Sequence, residues 1–299
     1  MADSNTSARP CRRLPWHGGA AAEILASAEA LFEGVATSGQ PAIRWYIAAD
    51  EALLLGASQK LSTIDGAAAR DAGVALIRRA AGGNVILSNP DMLGFDVALP
   101  RGDPLLLSDL TLSYRWLGEV WTAALRGLGV DATLVSLDEA RASVREEGEG
   151  AALARATCFG GLSPFEVTAP GRKPRKLVGL AQVRRRHGAI FQCSVPLRWT
   201  PWRLSWLMAI SPREQDLLAV ALRERAIGLD DARNGQGSYR DLIAAVETAL
   251  TARGLILHDS AWTREEGARA AILLSERYAP LLVTPPIPAR DGLARGALA

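Results

Sequence analysis

Apolar residues recur at helical spacing through residues 20–36, at Ile24, Leu25, Ala28, Leu31, Phe32 and Val35, and predict an amphipathic helix. Residues 41–47 and 52–56 read as strands, 65–72 as a short helix and 74–77 as a buried strand. Residues 93–99 and 104–107 continue the sheet. A long helix is expected over 110–128, with Tyr114, Leu117, Val120, Trp121, Ala124 and Leu128 on one face as core. A strand at 131–135 and a helix at 138–145 follow. The Glu/Gly-rich stretch 146–152 reads as a flexible loop. Residues 165–170, 176–183 and 187–195 predict a three-stranded antiparallel meander, with turns at 171–174 and 186–188. Helices are expected within 199–208 and over 212–225, 238–252 and 263–278. A strand is expected at 255–258, and 233–237 reads as a polar loop.

A chain of 299 residues suits one large domain or two small ones, and 48% hydrophobic content can fill a core. The pattern places one domain at 21–279, with the helices of 202–278 packed on it. Residues 1–20, which include Cys11 and His17, read as a loose tail, and 280–299, with Pro285, Pro286 and Pro288, as a disordered one. A net charge of +2 demands neither nucleic acid nor membrane, and no apolar run reaches spanning length. Three cysteines without paired spacing fit a reducing, cytoplasmic compartment, and no zinc spacing or other metal site is read.

Side chains able to do covalent chemistry crowd between Cys158 and Pro196. Two of three cysteines and two of three lysines fall there. Arginine fills nearly every basic position, 31 against three lysines, so Lys176 is retained where an amine is wanted. A thiol becomes a strong nucleophile beside a cation, and a lysine can also hold an acyl or phosphate oxygen. The plainer readings are a small buried cysteine and a solvated lysine. Gly179 lets a ligand approach the strand backbone. Arg184, Arg185 and Arg186 read as a solvated hairpin tip or a patch for an acidic partner. Upstream, Arg78 and Arg79 run into Gly82, Gly83 and Asn84. Glycine amides and arginines there would suit a carboxylate or phosphate, or simply make a charged surface turn.

The run Arg175-Lys176-Leu177-Val178-Gly179-Leu180-Ala181-Gln182 resembles the central-strand pattern of the lipoate–protein ligase and octanoyltransferase family. Lys176 falls on that family's essential lysine. Cys158-Phe159 followed by Ser163-Pro164-Phe165-Glu166 resembles the cysteine-using octanoyltransferases, where the cysteine carries the acyl group as a thioester. Arg78 to Asn89 resembles the family's glycine loop, which wraps the acyl chain and, in ligases, the adenylate. It departs from that loop at Ala81, Asn84, Ser88 and Asn89. Ser88 and Asn89 stand where the family has His-Asp, which weakens ATP-dependent adenylation more than thioester exchange.

The resemblance implies an α/β (α+β) domain of the biotin–lipoate ligase catalytic type, with mixed, largely antiparallel sheets flanked by helices. It implies Cys158 and Lys176 as catalytic residues. Arg78, Arg79, Gly82, Gly83, Asn84, Gly179 and Gln182 would line the acyl or adenylate pocket. The leading function is transfer of an octanoyl or lipoyl group, without a cofactor, from acyl carrier protein to a lipoyl-domain lysine. Acceptors would be a glycine-cleavage H protein or the acyltransferase subunit of a 2-oxoacid dehydrogenase. The alternatives are an ATP- and magnesium-dependent lipoate ligase and a non-catalytic acyl or lipoyl binder.

Overall fold

The structure, a computed structural model, describes residues 8–171 and 173–282. Nine strands form one twisted sheet: β1 (Arg9–Arg13), β2 (His17–Gly19), β3 (Ala42–Ala48), β7 (Met92–Pro100), β8 (Thr133–Leu134), β9 (Val167–Ala169), β10 (Arg175–Arg185), β11 (Gly188–Pro196) and β12 (Leu255–Asp259). Their order is β12-β1-β3-β7-β11-β10-β9-β8, with β2 also on β3. Pairing is antiparallel from β3 through to β8, and parallel where β1 joins β12 and β3. A small second sheet holds β4 (Ala52–Leu55) between β5 (Ala75–Arg78) and β6 (Ile86–Ser88).

Strand alternation assigns the two faces of the large sheet. Phe95, Val97 and Leu99 of β7 and Phe191 and Val195 of β11 face α3 (Arg115–Gly127) and α9 (Tyr239–Ala252), which supply Trp121, Val120, Leu242 and Val246 to one core. Ala42, Ala98, Val183 and Ile190 face the other way, onto Leu31, Phe32 and Val35 of α1 (Ala21–Ser38). Helix α10 (Arg264–Glu276) packs against the outside of α1. Gly94 and Ser194 share the α1 side of the sheet. There α1 gives out near Leu25 and the small sheet stands over a cleft.

Several expectations are corrected. Residues 8–20 are not a loose tail, because β1 is the second strand in from the sheet edge and Cys11 is fully buried. Its polar composition is compensated by distant carboxylates: Arg12 binds Glu266 at 2.7 and 2.9 Å, and Arg13 binds Asp259 and Glu247 at 2.7 Å each. Residues 104–107 form no strand, since the Asp103 carboxylate and carbonyl turn the chain at Leu105 and Leu106. The helix expected over 110–128 is broken into a 3-10 turn (Leu112–Tyr114) and α3, with Asp109 accepting the amides of Thr111 and Leu112 at 2.8 Å.

The supposed loop at 146–152 contains α5 (Glu149–Ala154), which follows α4 (Leu137–Arg145) and buries Ala151 and Ala154 against α7 (Pro212–Arg225). A short helix, α6 (Pro201–Ser205), precedes α7, and α8 (Leu229–Ala232) follows it. The remaining helix, α2 (Gly66–Asp71), is capped by Asp65. At the C-terminal end, Leu281 donates its amide to Leu76 at 2.7 Å, so the chain stays on the small sheet to Leu282. Residues 1–7 and 283–299, including Pro285, Pro286 and Pro288, lie outside the described residues. Among the described residues, no helix is long and apolar enough to cross a membrane.

Candidate active site

Cys158 opens a 3-10 turn (Cys158–Gly160) directly after α5. The segment before it is stitched to the glycine loop. The Cys158 amide donates to the Val85 carbonyl at 2.8 Å, and the Asn84 side chain donates to the Arg155 carbonyl at 2.6 Å. Gln59 donates to the Ala156 carbonyl at 3.1 Å. Gly160 must be glycine, because a Cβ there would lie 1.8 Å from the Ala154 carbonyl oxygen. The three cysteines are not equivalent. Burial pushes the Cys11 thiol up to about 12 and the Cys193 thiol higher still, although Trp121 Nε1 donates to Cys193 Sγ at 3.3 Å. Cys158 is half-exposed and lines the cleft.

Lys176 enters from the second position of β10 and is buried. Its Nζ donates to Glu166 Oε1 at 2.6 Å and to the carbonyl oxygen of Cys158 itself at 2.7 Å. It also lies 5.0 Å from the centroid of the Phe159 ring, which packs in turn on Trp199 at 5.1 Å. An ammonium has three N–H donors, so two are committed within the protein and one remains on the side of the cleft that Lys176 lines. Glu166 is fixed equally tightly. Its carboxylate accepts the amides of Ser163 at 2.8 Å and Leu180 at 3.2 Å. The neighbouring Phe165 sits at φ 66°, a left-handed conformation rare for an aromatic residue. Gly118 of α3 makes room for it, since a Cβ there would lie 2.2 Å from the Phe165 carbonyl oxygen.

The cleft has a volume of about 510 Å³, within the range of small-molecule sites. Its floor is a row across four strands: Tyr46 of β3 pairs with Gly94 of β7, Gly94 with Ser194 of β11, and Ser194 with Gly179 of β10. Two glycines and a serine leave a trough. At the Gly179 end lies the lysine, whose Cε would be 3.3 Å from an added Cβ. At the other end the Tyr46 ring folds over Gly94, 2.0 Å from where a Cβ would be, and closes the trough. Tyr46 is held there by its hydroxyl, which donates to Asp96 at 3.2 Å, and Arg44 Nε binds Asp96 at 2.8 Å. Burial raises both the Tyr46 hydroxyl and the Asp96 carboxyl above their ordinary values, Asp96 despite the adjacent guanidinium. Leu25, Leu54, Ile86 and Met92 supply apolar walls.

Of the residues expected at the site, Cys158, Lys176, Arg79, Gly82, Gly83, Asn84, Gly179 and Gln182 line this one cleft. Arg79 is buried and donates to the Asn84 carbonyl at 3.0 Å. Gln182 Nε2 is buried with no partner among the described residues. Arg78 is a correction. Neighbouring side chains of a strand point to opposite sides, and Arg78 turns away from the cleft to the carbonyls of Gly56 and Gln59, at 2.9 and 2.7 Å. Glu166, Tyr46, Gly94 and Ser194 were missed. The signal for Glu166 was present: a carboxylate between Phe165 and Val167, on a strand about to be buried, needs a cation.

Residues 20–251 match the family described as "Lipoyl protein ligase A/B catalytic domain". The chain is 28% identical to an octanoyltransferase LipM of Exiguobacterium sp., over 85% of this chain and 91% of the relative. It is 27% identical to an octanoyltransferase LipM of Brevibacillus brevis, over 80% and 85%. In fold it is similar to a chain in the structure of the bi-partite lipoate protein ligase and its E2 lipoyl domain from Thermoplasma acidophilum. There the TM-score is 0.70 at 20% identity, covering 90% of this chain and 92% of the other. The sheet and its flanking helices are thus those of the lipoate ligase catalytic fold, as the sequence resemblance implied.

Proposed function

Because the chain belongs to the lipoyl protein ligase A/B catalytic-domain family, we propose that it is an octanoyltransferase working through a thioester on Cys158. One observation carries this reading: the buried Lys176 ammonium is bonded to the carbonyl of the cysteine residue itself, with one N–H left over, and the partly buried Cys158 lines the same cleft. Cys158 Sγ attacks the carbonyl carbon of a carrier-borne octanoyl thioester. The new C–S bond forms, the donor C–S bond breaks, and the Cys158 proton leaves on the donor thiol. Lys176 donates its spare N–H to the acyl oxygen as negative charge develops, a contribution of about 10²–10³ in rate for one well-placed donor. A neutral lysine amine of a lipoyl domain then attacks the thioester. The amide forms, and the amine's proton returns to the Cys158 sulfur.

The trough suits the acyl chain. From Gly179 to Gly94 it crosses two strand spacings, roughly 10 Å at ~4.8 Å each. The seven C–C bonds of an octanoyl chain, at about 1.5 Å each and shortened by the zigzag, extend roughly 9 Å. Tyr46 would meet its methyl end.

The ATP-dependent alternative is less well served. Asn84 commits its side chain to the Arg155 carbonyl, and Asn89 accepts the Asp91 amide at 3.0 Å. The glycine loop thus holds the protein's own cysteine segment where a ligase would wrap a nucleotide.

Intact-protein mass spectrometry after mixing with octanoyl-acyl carrier protein, without ATP, tests the proposal. A hydroxylamine-sensitive octanoyl adduct is expected, and Cys158→Ser is expected to lack it. No adduct, together with pyrophosphate release from lipoate and ATP, would install the ligase reading instead. Binding of a lipoyl domain with neither reaction would leave the non-catalytic one.

A further inference from the structure

Strand β11 is an interior strand, between β7 and β10, yet Gln192 and Ser194 on it are open to solvent. Both line the cleft. Ser194 stands in the floor row between Gly94 and Gly179, so its neighbours on either side carry no side chain. Tyr46, the fourth member of the row, has its hydroxyl on Asp96. The Ser194 hydroxyl has no hydrogen-bond partner among the described residues.

That hydroxyl leans over β10. Its Oγ lies 3.2 Å from the point where a Gly179 Cβ would be. Lys176 Cε is 3.3 Å from the same point, and Cζ of the Phe159 ring 3.5 Å. The space of one absent methyl is thus bordered by the chain that ends in the spare N–H, by a free hydroxyl and by the residue that follows Cys158. Unbroken strand alternation would put residues 176 and 179 on opposite faces. The register shift between Lys176 and Val178 removes that parity and lets the lysine share the face of Ser194.

A free hydroxyl over an acyl site can attack the carbonyl carbon or donate to the carbonyl oxygen. Attack needs a base to take the proton. No carboxylate or imidazole is bonded to Ser194, and the Lys176 nitrogen is an ammonium held by Glu166. Donation needs only the O–H itself. We propose that Ser194 is a second catalytic donor to the acyl oxygen, beside Lys176; the proposal rests on the thioester reading of Cys158. As Cys158 Sγ adds to the acyl carbon, the C=O π pair moves onto oxygen, and an ammonium from β10 and a hydroxyl from β11 share the charge. The pair returns when the donor C–S bond breaks. Ser194 keeps its proton throughout. The same oxygen is charged again when the lipoyl-domain amine attacks, so both half-reactions draw on this hydroxyl.

The test compares Ser194→Ala, Ser194→Thr and Ser194→Val. The last two have nearly the same bulk and differ in the hydroxyl, so their difference reports the donor and not the shape of the trough. Single-turnover acylation by octanoyl-acyl carrier protein, and transfer from preloaded enzyme to a lipoyl domain, are followed by mass. Losing one donor should lower the maximal rate of both steps about 10²-fold in Ser194→Ala, and Ser194→Val should trail Ser194→Thr by a similar factor. The half-saturating donor concentration should not change. Acylation should still run to completion, and iodoacetamide should alkylate Cys158 at the natural rate, since alkylation forms no oxyanion. The infrared carbonyl band of the octanoyl-enzyme should move to higher wavenumber in Ser194→Ala and Ser194→Val, and not in Ser194→Thr. Natural rates in Ser194→Ala, equal rates in the Thr and Val variants, or an unmoved carbonyl band would each overturn the proposal. An unmodified enzyme that forms no octanoyl adduct at all would mark the failure of the thioester reading instead, and this inference would fall with it.

Discussion

Removing the Glu166 carboxylate while leaving Lys176 in place should separate what holds the site together from what works in it. Glu166→Ala strips three bonds from a buried region: one to the ammonium and two to the amides of Ser163 and Leu180. Breaking a buried pair on one side costs about 3–5 kcal/mol, because the remaining charge is stranded. Each orphaned amide adds a further ~1–3 kcal/mol before relaxation. Together these come to about 5–11 kcal/mol before relaxation, a large part of the ~5–15 kcal/mol that holds a domain folded, and the Tm should fall by on the order of 10 °C or more.

The informative variant is the double one, Glu166→Gln with Lys176→Met. Both charges go, volume is nearly kept, and the introduced carboxamide oxygen still accepts an amide. Neutral replacement of a buried pair is often without cost, so stability should return to within about 1 kcal/mol of the natural chain. Acyl transfer should not return, since the N–H that would hold the acyl oxygen is gone. Urea unfolding and single-turnover acyl-enzyme formation read the two effects independently. If the double variant were as unstable as Glu166→Ala, the two residues would not form an electrostatic unit. If it transferred acyl groups at the natural rate, Lys176 would have no part in the chemistry.

Further outcomes follow from the same geometry. Gly179→Ala places a methyl 3.3 Å from Lys176 Cε and 3.2 Å from Ser194 Oγ; the lysine must shift by tenths of an ångström, and the acylation rate should fall roughly tenfold or more at little cost in Tm. Tyr46→Ala opens the closed end of the trough, so a competition between octanoyl and decanoyl donors should move toward the longer chain; an unchanged preference would show that the ring is not the stop. With Cys11 pushed up to about 12 and Cys193 higher, iodoacetamide at pH 8 should label the native chain at Cys158 alone and all three cysteines in urea. The same shift has a sign for stability. Above the ordinary thiol value of 9.0 the unfolded chain loses the Cys11 proton that the folded chain keeps, so stability falls as pH rises from 9.0 toward about 12. A Cys11→Ala, Cys193→Ala variant should show a shallower alkaline decline.

The meander, and the meeting of Cys158 and Lys176 in one cleft, were legible because local signals agreed. Strand alternation, two turns and the scarcity of lysine all pointed to residues 158–195. What escaped depended on partners far off in sequence. Arg9–Arg13 reads as solvated chain until Glu266 neutralises Arg12, and residues 149–152 read as loop until Ala151 and Ala154 are buried against α7. Arg78 and Arg79 look alike as letters, and strand parity alone sends one outward and the other into the cleft. Glu166 was visible as part of a motif but not as the counter-ion of Lys176. That pairing runs across β9 and β10, where the register shifts between Lys176 and Val178.

Strand β1 lies between β3 and β12, bonded to β12 over all five of its residues and to β3 over only two. On the ribosome, residues 9–13 would emerge well before residues 255–259 and wait for them. At ~5–20 residues per second the delay is roughly 10–50 s. During that interval Cys11 and the apolar edge of the growing sheet are uncovered, and the edge closes only once β12 has been made. Shielding of this segment by a chaperone, or the speed at which the final helices are translated, would therefore set how much of the newly made protein matures and how much aggregates.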